Sequence, residues 1–308
     1  MQRTRDTIVE QLSQGVYTGP ELAEACGITR AAVWKHVQSL REDGFAIDVE
    51  DGGYHMRDIP EFGRTAVAHV CDAPYTIEYV DRIESTNVRA RELAMEGKEN
   101  VIVLADTQTK GRGRLDRSWS GPSGGIYASL LIRPDLPPSE VPILTMTGAV
   151  AVAEAIASLG CDPTIKWPND VRIANEKVAG ILTEIEGEAD RVSWAIVGIG
   201  INANVHLDDL PSNSTSLQSE ADGPIDRASL VGDIVEHVHA LLETPQNVLE
   251  DWRSFADTIG RQVRVTTLDD AFVGRAIDVT YPGSLRIKTE DGEVTVHAGD
   301  CEHLRPAE

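Results

Sequence analysis

Residues 108 to 119 read Gln-Thr-Lys-Gly-Arg-Gly-Arg-Leu-Asp-Arg-Ser-Trp, which places three arginines and two glycines in one short segment. The chain of 308 residues has 50 Asp and Glu against 28 Lys and Arg, a net charge of -22, so this positive cluster stands out. The guanidinium fork suits phosphate or carboxylate, and glycine lets the backbone approach a ligand closely. The segment predicts a flexible anion-binding loop, with a solvated basic loop as the alternative.

The length and composition predict two or three domains of a cytoplasmic protein with no membrane association. No apolar run comes near the ~18 residues of a membrane span, since Glu154 interrupts the longest one, and the N-terminus has no apolar stretch like a secretory signal. The acids are dispersed along the chain, which suits a hypersaline cytoplasm, where salt screens self-repulsion. Widely spaced cysteines indicate reduced thiols and no zinc site, and they are Cys26, Cys71, Cys161 and Cys301.

Residues 1 to 58 have the pattern helix, tight turn, helix and hairpin. Apolar residues recur at helical spacing from Arg30 to Glu42, and residues 50 to 53, Glu-Asp-Gly-Gly, are a hairpin signal. This order predicts a winged helix-turn-helix that binds DNA; a protein-interaction module is the alternative. With 6 Lys and Arg against 10 Asp and Glu, the module attracts phosphate weakly, so DNA contact depends on its third helix. That helix offers Arg30, Lys35, Gln38 and Arg41.

From residue 75 the sequence alternates between strand and helix patterns. We predict a linker at 59 to 74, an α/β domain at 75 to 258 and a small β-barrel of about five strands at 259 to 308. Residues 204 to 224 are polar and rich in turn residues, which predicts a loop. The predicted strands of the α/β domain are 75–80, 101–105, 126–132, 164–167, 180–185 and 192–199, and its predicted helices are 87–96, 141–158, 228–242 and 248–255.

Four further segments place polar groups next to predicted strands. They are Ser85-Thr86-Asn87, Lys166-Trp167-Pro168-Asn169-Asp170, Lys177-Val178-Ala179-Gly180-Ile181-Leu182 and Gly198-Ile199-Gly200-Ile201-Asn202. Each alone has an ordinary explanation, such as helix capping or a solvated lysine at a strand edge. In this order, together with the arginine segment, they resemble the biotin–protein ligases. With the winged module, nearly the whole chain is similar to the bifunctional class, in which ligase and biotin-operon repressor are one polypeptide.

The resemblance implies a multidomain α+β protein with an N-terminal winged helix-turn-helix, a central α/β catalytic domain of the biotin/lipoate-ligase type and a C-terminal SH3-like β-barrel. It implies that the carboxylate of biotin attacks the α-phosphate of ATP, with Mg²⁺ held mostly by phosphates and water rather than by a metal-binding motif. A lysine of a biotin carboxyl carrier domain then takes biotin from biotinyl-5'-adenylate. Operator DNA and a homodimer of the adenylate-bound chain are the other implied partners.

The resemblance also assigns roles to individual residues. It implies that Lys177 is the charge partner of the biotin carboxylate, that Asp170 orients or deprotonates the incoming lysine, and that Asn202 lies near adenine. The catalytic set is Lys177, Arg112, Arg114 and Asp170. The residues matched to biotin and adenylate binding are Ser85, Thr86, Asn87, Gln108, Gly111, Arg112, Gly113, Arg114, Arg117, Lys177, Gly180 and Asn202.

Two other functions fit the same motifs. One is a lipoate or octanoate ligase of the same fold, and the other is a regulator that binds biotin without transferring it. The arginine segment and the terminal barrel favour biotin, and the retention of Lys177 and Asp170 favours catalysis. Asp116 departs from the family pattern because it brings negative charge among the arginines, where it either orders the segment or weakens phosphate binding. We expect the segment to close over the adenylate and exclude water.

Overall fold

The computed structural model describes residues 2–42, 44–58 and 60–304, apart from the side chains of Gln2, Arg3, Asp6, Glu42 and Asp116. The chain forms two compact units, residues 1–69 and 70–308. The C-terminal sheet therefore belongs to the same unit as the α/β domain, whereas the N-terminal module is a unit by itself.

The first unit has the element order of a winged helix-turn-helix. It runs α1 Gln2–Gln14, α2 Gly19–Cys26, α3 Arg30–Glu42, β1 Ala46–Glu50 and β2 Gly53–Asp58. The strands pair antiparallel across the Glu50 to Gly53 turn, as predicted. A shared core joins the helices to the wing and contains Ile8, Leu12, Leu22, Val33, Val37, Leu40, Phe45 and Ile47.

Local sequence explains where α2 begins and ends. The Thr18 side chain accepts a hydrogen bond from the backbone N–H of Glu21, and the Glu21 carboxylate accepts one from the Thr18 N–H at 2.7 Å. This reciprocal pair is a capping box that satisfies two N–H groups without a helical partner. Gly27, at φ 65°, ends the helix in the left-handed conformation.

In the described part of the second unit, an eight-stranded mixed sheet carries the site. Strands β3 and β4 are parallel, whereas the other neighbouring pairs are antiparallel. The strand order is β3-β4-β6-β10-β9-β8-β7, with β5 paired to β4. The strands are β3 Thr76–Ile83, β4 Val101–Arg112, β5 Ser118–Gly121, β6 Ile126–Ile132, β7 Pro163–Lys166, β8 Asp170–Ile173, β9 Glu176–Gly187 and β10 Val192–Ile201.

Helices cover this sheet and explain its apolar strands. The helices of the second unit are α5 Thr86–Met95, α6 Pro142–Ser158, α7 Leu217–Glu220, α8 Arg227–Glu243 and α9 Val248–Phe255, while α4, Arg64–Val70, spans the boundary between the two units. The stretch from Pro138 to Ser158 is long and apolar enough to cross a membrane, and 67% of the relevant window is buried inside the protein. The prediction that no apolar run approaches that length is therefore wrong, because residues on either side of Glu154 extend the run into a core helix.

The C-terminal segment is a five-stranded antiparallel sheet of order β14-β13-β12-β11-β15. The strands are β11 Gln262–Thr266, β12 Ala271–Thr280, β13 Ser284–Thr289, β14 Gly292–Val296 and β15 Asp300–His303. The five predicted strands are confirmed, while closure into a barrel stays a prediction.

The predicted helices and strands of the α/β domain are all present, but strand β8 was not predicted, and three connecting segments differ from their prediction. Residues 108–119 are a β-hairpin rather than a loop, since β4 continues to Arg112 and β5 begins at Ser118. Residues 204–224 contain helix α7 and a 3-10 turn, Leu207–Asp209, so the prediction of a plain loop there is wrong. The segment predicted as a linker contains helix α4.

Candidate active site

A cavity of about 450 Å³ opens beside the β4–β5 hairpin and is walled by strands β9 and β10. Residues predicted from five separate sequence segments line it together, and they are Ser85, Thr86, Asn87, Gln108, Arg112, Gly113, Arg114, Arg117, Asp170, Lys177, Gly180 and Asn202. Gly111 does not line the cavity. A Cβ at Gly111 would lie 2.9 Å from the Trp119 carbonyl oxygen, so this glycine lets the two hairpin strands approach each other.

One end of the cavity carries uncharged hydrogen-bonding groups at the start of α5. The Thr86 N–H donates to Gln108 Oε1 at 2.7 Å, and Thr86 Oγ1 lies 3.1 Å from the same oxygen. Asn87 Nδ2 donates to the Glu184 carboxylate at 3.1 Å. Ser85 stands at the N-cap position, but its side chain makes no capping hydrogen bond, so simple capping does not explain it.

Lys177 and Asp170 form the charged centre of the cavity. Lys177 Nζ lies 2.5 Å from Asp170 Oδ1 and 5.2 Å from the centroid of the Trp119 ring, within cation–π range. Backbone hydrogen bonds fix the lysine, because its N–H donates to the Asn213 carbonyl and its carbonyl accepts from the Thr215 N–H, both at 3.0 Å. The site therefore holds a positive charge beside an aromatic face, with a carboxylate as its present partner.

The glycines of the Gly198-x-Gly200 motif make room for two site residues. A Cβ at Gly198 would lie 2.3 Å from Asn87 Oδ1, and one at Gly200 would lie 2.7 Å from Cε2 of Trp119. Both distances are shorter than real side chains allow, so only glycine admits Asn87 and the indole against β10. Beside them, Asn202 is buried, and its Nδ2 donates to the Thr215 carbonyl at 3.0 Å.

The three arginines of the hairpin differ in their partners. In the described part of the chain the Arg112 guanidinium is exposed to the cavity and has no hydrogen bond or ion pair. Arg114 donates to Asn169 Oδ1 at 3.2 Å and to the Gly299 carbonyl at 2.9 Å, and burial lowers its pKa. Arg114 is therefore held by uncharged acceptors, whereas Arg112 is available to an anion.

Both terminal nitrogens of Arg117 donate to the Asp300 carboxylate on β15. That hydrogen bond raises the pKa of Arg117 and lowers the pKa of Asp300. The turn between the strands is a 3-10 turn, Arg114–Asp116, in which exposed Leu115 has a left-handed φ of 54°. The Asp116 side chain lies outside the described residues, so its role among the arginines stays a question from the sequence.

A buried polar cluster supports the Trp167-Pro168 turn that leads to Asp170. The Trp167 N–H donates to Thr258 Oγ1 at 2.9 Å, and Thr258 Oγ1 lies 3.1 Å from His303 Nε2. Because Asp257 Oδ2 lies 3.6 Å from His303 Nδ1, it is too far for a hydrogen bond. The Thr258 hydroxyl can both accept and donate, so it joins the Trp167 backbone to the His303 ring. Burial lowers the pKa of His303 to about 4, so this histidine is neutral.

Several cavity residues were not predicted from the sequence. Trp119 is the last residue of the arginine segment at 108–119. Gly180 and Gly200 lie against its ring, and these two glycines were the available sequence signal for it. Lys166 and Asn169 belong to the segment from Lys166 to Asp170, although no role was predicted for them. No local motif connects the other cavity residues to the site, and these include Glu184, Asp300 and Glu302. In the described ranges, no group of three or more His, Cys, Asp or Glu is placed to hold a metal ion.

The third helix of the N-terminal unit presents only part of the predicted DNA face. Arg30 and Lys35 are exposed and Gln38 is half-buried. Arg41, predicted as a DNA contact, instead donates through Nε and Nη2 to the Ile47 carbonyl at 2.9 and 2.6 Å, which ties the helix to the wing. The exposed indole of Trp34 lies on the same helix and was not predicted.

Comparisons with known proteins agree with this arrangement. Three family models match: an HTH domain at residues 4–55, the biotin/lipoate A/B protein ligase family at 79–202, and the biotin protein ligase C-terminal domain at 258–304. The chain is 36% identical to the bifunctional ligase/repressor BirA of Bacillus spizizenii, over 97% of this chain and 98% of the relative. It is 28% identical to that of Escherichia coli, over 98% of this chain and 97% of the relative.

Among solved structures, the chain resembles the biotin protein ligase from Aquifex aeolicus in complex with biotin and ATP. The sequence identity is 26% and the TM-score 0.65, and the match covers 75% of this chain and 99% of that one. A second structure, a mutant of that ligase in complex with biotin, matches with 25% identity and a TM-score of 0.63, over 75% of this chain and 98% of that one.

Proposed function

This chain belongs to the family of bifunctional biotin ligase/repressors, and from that premise we propose how its residues perform the two activities. The enzyme is an ATP-dependent biotin–[acetyl-CoA-carboxylase] ligase with an N-terminal HTH domain of the repressor type. One observation carries the proposal: a single cavity joins an end that offers hydrogen-bonding groups from Thr86, Asn87 and Gln108 to a cationic end at Lys177 and Arg112. Biotin has the matching ends, a cyclic urea and a carboxylate.

In the first step a biotin carboxylate oxygen attacks the α-phosphorus of ATP, and pyrophosphate leaves. Two anions must approach each other, so fixed positive charge lowers the barrier. Lys177 is placed for this role because Asp170 already compensates its charge at 2.5 Å and can be exchanged for the substrate carboxylate. Trp119 then covers the lysine and reduces its contact with water.

In the second step the amine of a carrier lysine attacks the acyl carbon of biotinyl-5'-adenylate, and AMP leaves. The attacking amine must be neutral, so a proton acceptor near the acyl group is required. Asp170 becomes available for this once Lys177 contacts the adenylate. We assign to Asp170 the proton of the incoming lysine and to Lys177 the charge that develops on the acyl-phosphate oxygens.

We assign the phosphates of ATP to the hairpin arginines, and the three guanidinium groups differ in the partners that they have before ATP binds. Arg112 is free to bind a phosphate directly, whereas Arg117 must exchange the Asp300 carboxylate for a phosphate oxygen. Arg114 stays with Asn169 and Gly299 and fixes the turn. Mg²⁺ fits this site as a companion of ATP, bound by phosphates and water, since Asp170 and Asp300 are already paired with cations. Asn202 lies on the adenylate side of Lys177 in this assignment.

The β4–β5 hairpin is the element that would close over the adenylate. Its tip contacts the C-terminal sheet region through Arg114 and Arg117, so closure means a change in those contacts rather than the ordering of a loop. We expect slower amide hydrogen exchange in residues 111–120 when biotin and ATP are added. Unchanged exchange would remove closure from the mechanism.

The repressor activity requires the first unit to bind operator DNA, with Arg30, Lys35 and Gln38 as contacts. Paired half-sites imply a homodimer, which we expect for the adenylate-bound form. A gel shift with DNA from upstream of the chain's own gene tests this. Retardation that increases with biotin and ATP supports the proposal, and no retardation in either state would limit the chain to ligation.

One assay separates this function from its alternatives. The full chain is incubated with ATP, labelled biotin and a carrier domain, and transfer to the carrier lysine is measured. Transfer supports the ligase, adenylate without transfer indicates a biotin-sensing regulator, and activity with lipoate alone indicates a lipoate ligase. Running the assay from low to molar salt also tests whether the acidic composition reflects a hypersaline cytoplasm. We further propose that the C-terminal sheet closes as an SH3-like barrel.

A further inference from the structure

We propose that Ser129 and Glu184 are positioning residues that orient the polar end of the cavity for its ligand, an inference that rests on the proposed binding of the biotin urea there. Ser129 is fully buried on β6 and does not line the cavity, so it can act only through its neighbours. Glu184 lies on β9 and lines the same end.

The two residues hold Asn87 from opposite sides. Ser129 Oγ donates to Asn87 Oδ1 at 2.6 Å, and Asn87 Nδ2 donates to Glu184 Oε2 at 3.1 Å. A side-chain amide can rotate by half a turn with little change in shape, but here rotation would place Asn87 Oδ1 against the Glu184 carboxylate, where two acceptors would face each other, and would break the hydrogen bond that Ser129 donates. Asn87 is therefore locked in one orientation.

The residues that surround the Asn87 side chain come from three neighbouring strands. Ser129 on β6 is directly paired with Gly198 on β10, where the missing Cβ leaves room for Asn87 Oδ1. Glu184 on β9 is itself held from outside by Arg91, whose Nη2 donates to its Oε1 at 3.1 Å. Because regular strands fix these residues, the orientation of Asn87 depends little on loops.

The hydroxyl protons of Ser129 and Thr86 determine which hydrogen-bond donors and acceptors face the ligand. Ser129 has one hydroxyl proton and gives it to Asn87, so the Thr86 hydroxyl, 2.8 Å from Ser129 Oγ, can donate to Ser129 or to Gln108 Oε1. In both cases the Thr86 oxygen keeps a lone pair, and Asn87 and Gln108 keep N–H donors. Acceptor and donors side by side are what a cyclic urea needs, since it has N–H groups and a carbonyl.

Ser129→Ala leaves Asn87 Oδ1 buried without a donor and removes one of the two hydrogen bonds that orient the amide. We expect the dissociation constant and KM for biotin to rise about tenfold, the ratio that about 1.4 kcal/mol gives. The KM for ATP and kcat should change less than about twofold, because Lys177 and the arginines are untouched. Thr147→Ala is the matched control, since it removes another buried hydroxyl, which donates to the Ile143 carbonyl inside α6.

Glu184→Ala tests the contact on the other side of Asn87. If the Ser129 variant does not fold, this variant alone tests whether the orientation of Asn87 controls biotin binding. Its control is Glu186→Ala, an exposed acid two residues along the same strand. The experiment measures biotin binding by calorimetry and both KM values for the full chain. A rise confined to biotin in the Ser129 and Glu184 variants supports the proposal, whereas unchanged biotin affinity, or equal changes for biotin and ATP, overturns it. Wild-type chain that binds no biotin would instead contradict the proposed function.

Discussion

Replacing Gly200 by alanine tests whether the cavity depends on the position of the Trp119 indole. A Cβ at residue 200 would lie 2.7 Å from Cε2 and 2.9 Å from Nε1 of that ring, where ordinary contacts are 3.4 Å or longer. The indole must therefore retreat by roughly 0.7 Å. The ring also lies close over Gly180, where a Cβ would be 3.0 Å from its Cζ3.

The expected loss of stability and of activity depends on how easily the Trp119 ring can shift. Overpacking of this kind destabilises a protein by about 1–3 kcal/mol. Trp119 stands on an edge hairpin and is only half-buried, so we expect the low end, about 1 kcal/mol. Activity should suffer more, because the ring lies 5.2 Å from the ammonium of Lys177 and a misplacement of ~1 Å near reacting groups can lower rates by about 10²-fold. We expect kcat/KM for biotin to fall by about 10- to 100-fold.

The assay is biotin-dependent exchange of labelled pyrophosphate into ATP, with the unfolding transition of each variant measured beside it. Gly223→Ala is the matched control, since a Cβ there meets no atom within 4 Å. A Gly200→Ala enzyme with exchange within about twofold of wild type would refute the argument. An equal loss in both variants would refute it too, because the effect would not come from the indole.

Three further variants test other parts of the site. Lys177→Ala should lower adenylate formation by about 10²-fold or more, since charge-assisted contacts of this kind contribute ~2–4 kcal/mol, while Lys110→Ala, a lysine of the same hairpin as Trp119 paired with surface Glu84, should be unaffected. Asp300→Asn frees Arg117, so the KM for ATP should fall severalfold in steady-state kinetics; an unchanged value would separate Arg117 from the phosphates. The folded-state pKa of His303, about 4, lies below its usual 6.5, so its contribution to stability is complete above pH 6.5 and is lost as pH falls towards 4. In urea titrations at pH 7 and 4.5, wild type should therefore lose about 2 kcal/mol more than His303→Gln, and equal losses would contradict a buried neutral imidazole.

The sequence was sufficient for elements whose residues satisfy local rules. The apolar spacing from Arg30 to Glu42 predicted α3, and the hairpin turn at 50–53 predicted the wing. The motifs also predicted which side chains meet in the cavity, because one sheet and the segments that follow its strands bring them together. Local chemistry and tertiary structure agree at these positions.

The sequence was not sufficient where a partner comes from far along the chain or from another element. Arg41 looked free to bind DNA, but its acceptor is a carbonyl in the wing. Ser129 looked like an ordinary strand residue, and its role follows only from the Asn87 side chain that Gly198 admits. Neither contact leaves a periodic or compositional signal, so pattern analysis does not find it.

The arginine hairpin is the clearest example of partners that the sequence pattern does not reveal. Three arginines of one segment look equivalent in sequence, yet Arg112 has no partner among the described residues, Arg114 donates to the Gly299 carbonyl, and Arg117 donates to the Asp300 carboxylate. A guanidinium that already donates to a carboxylate can bind phosphate only by exchanging one anion for the other. The affinity of the hairpin for ATP is therefore a difference between two interactions, and β15, 183 residues further along the chain at Asp300, supplies one of them. In the proposed mechanism the C-terminal sheet thus belongs to the nucleotide site as much as the arginines do.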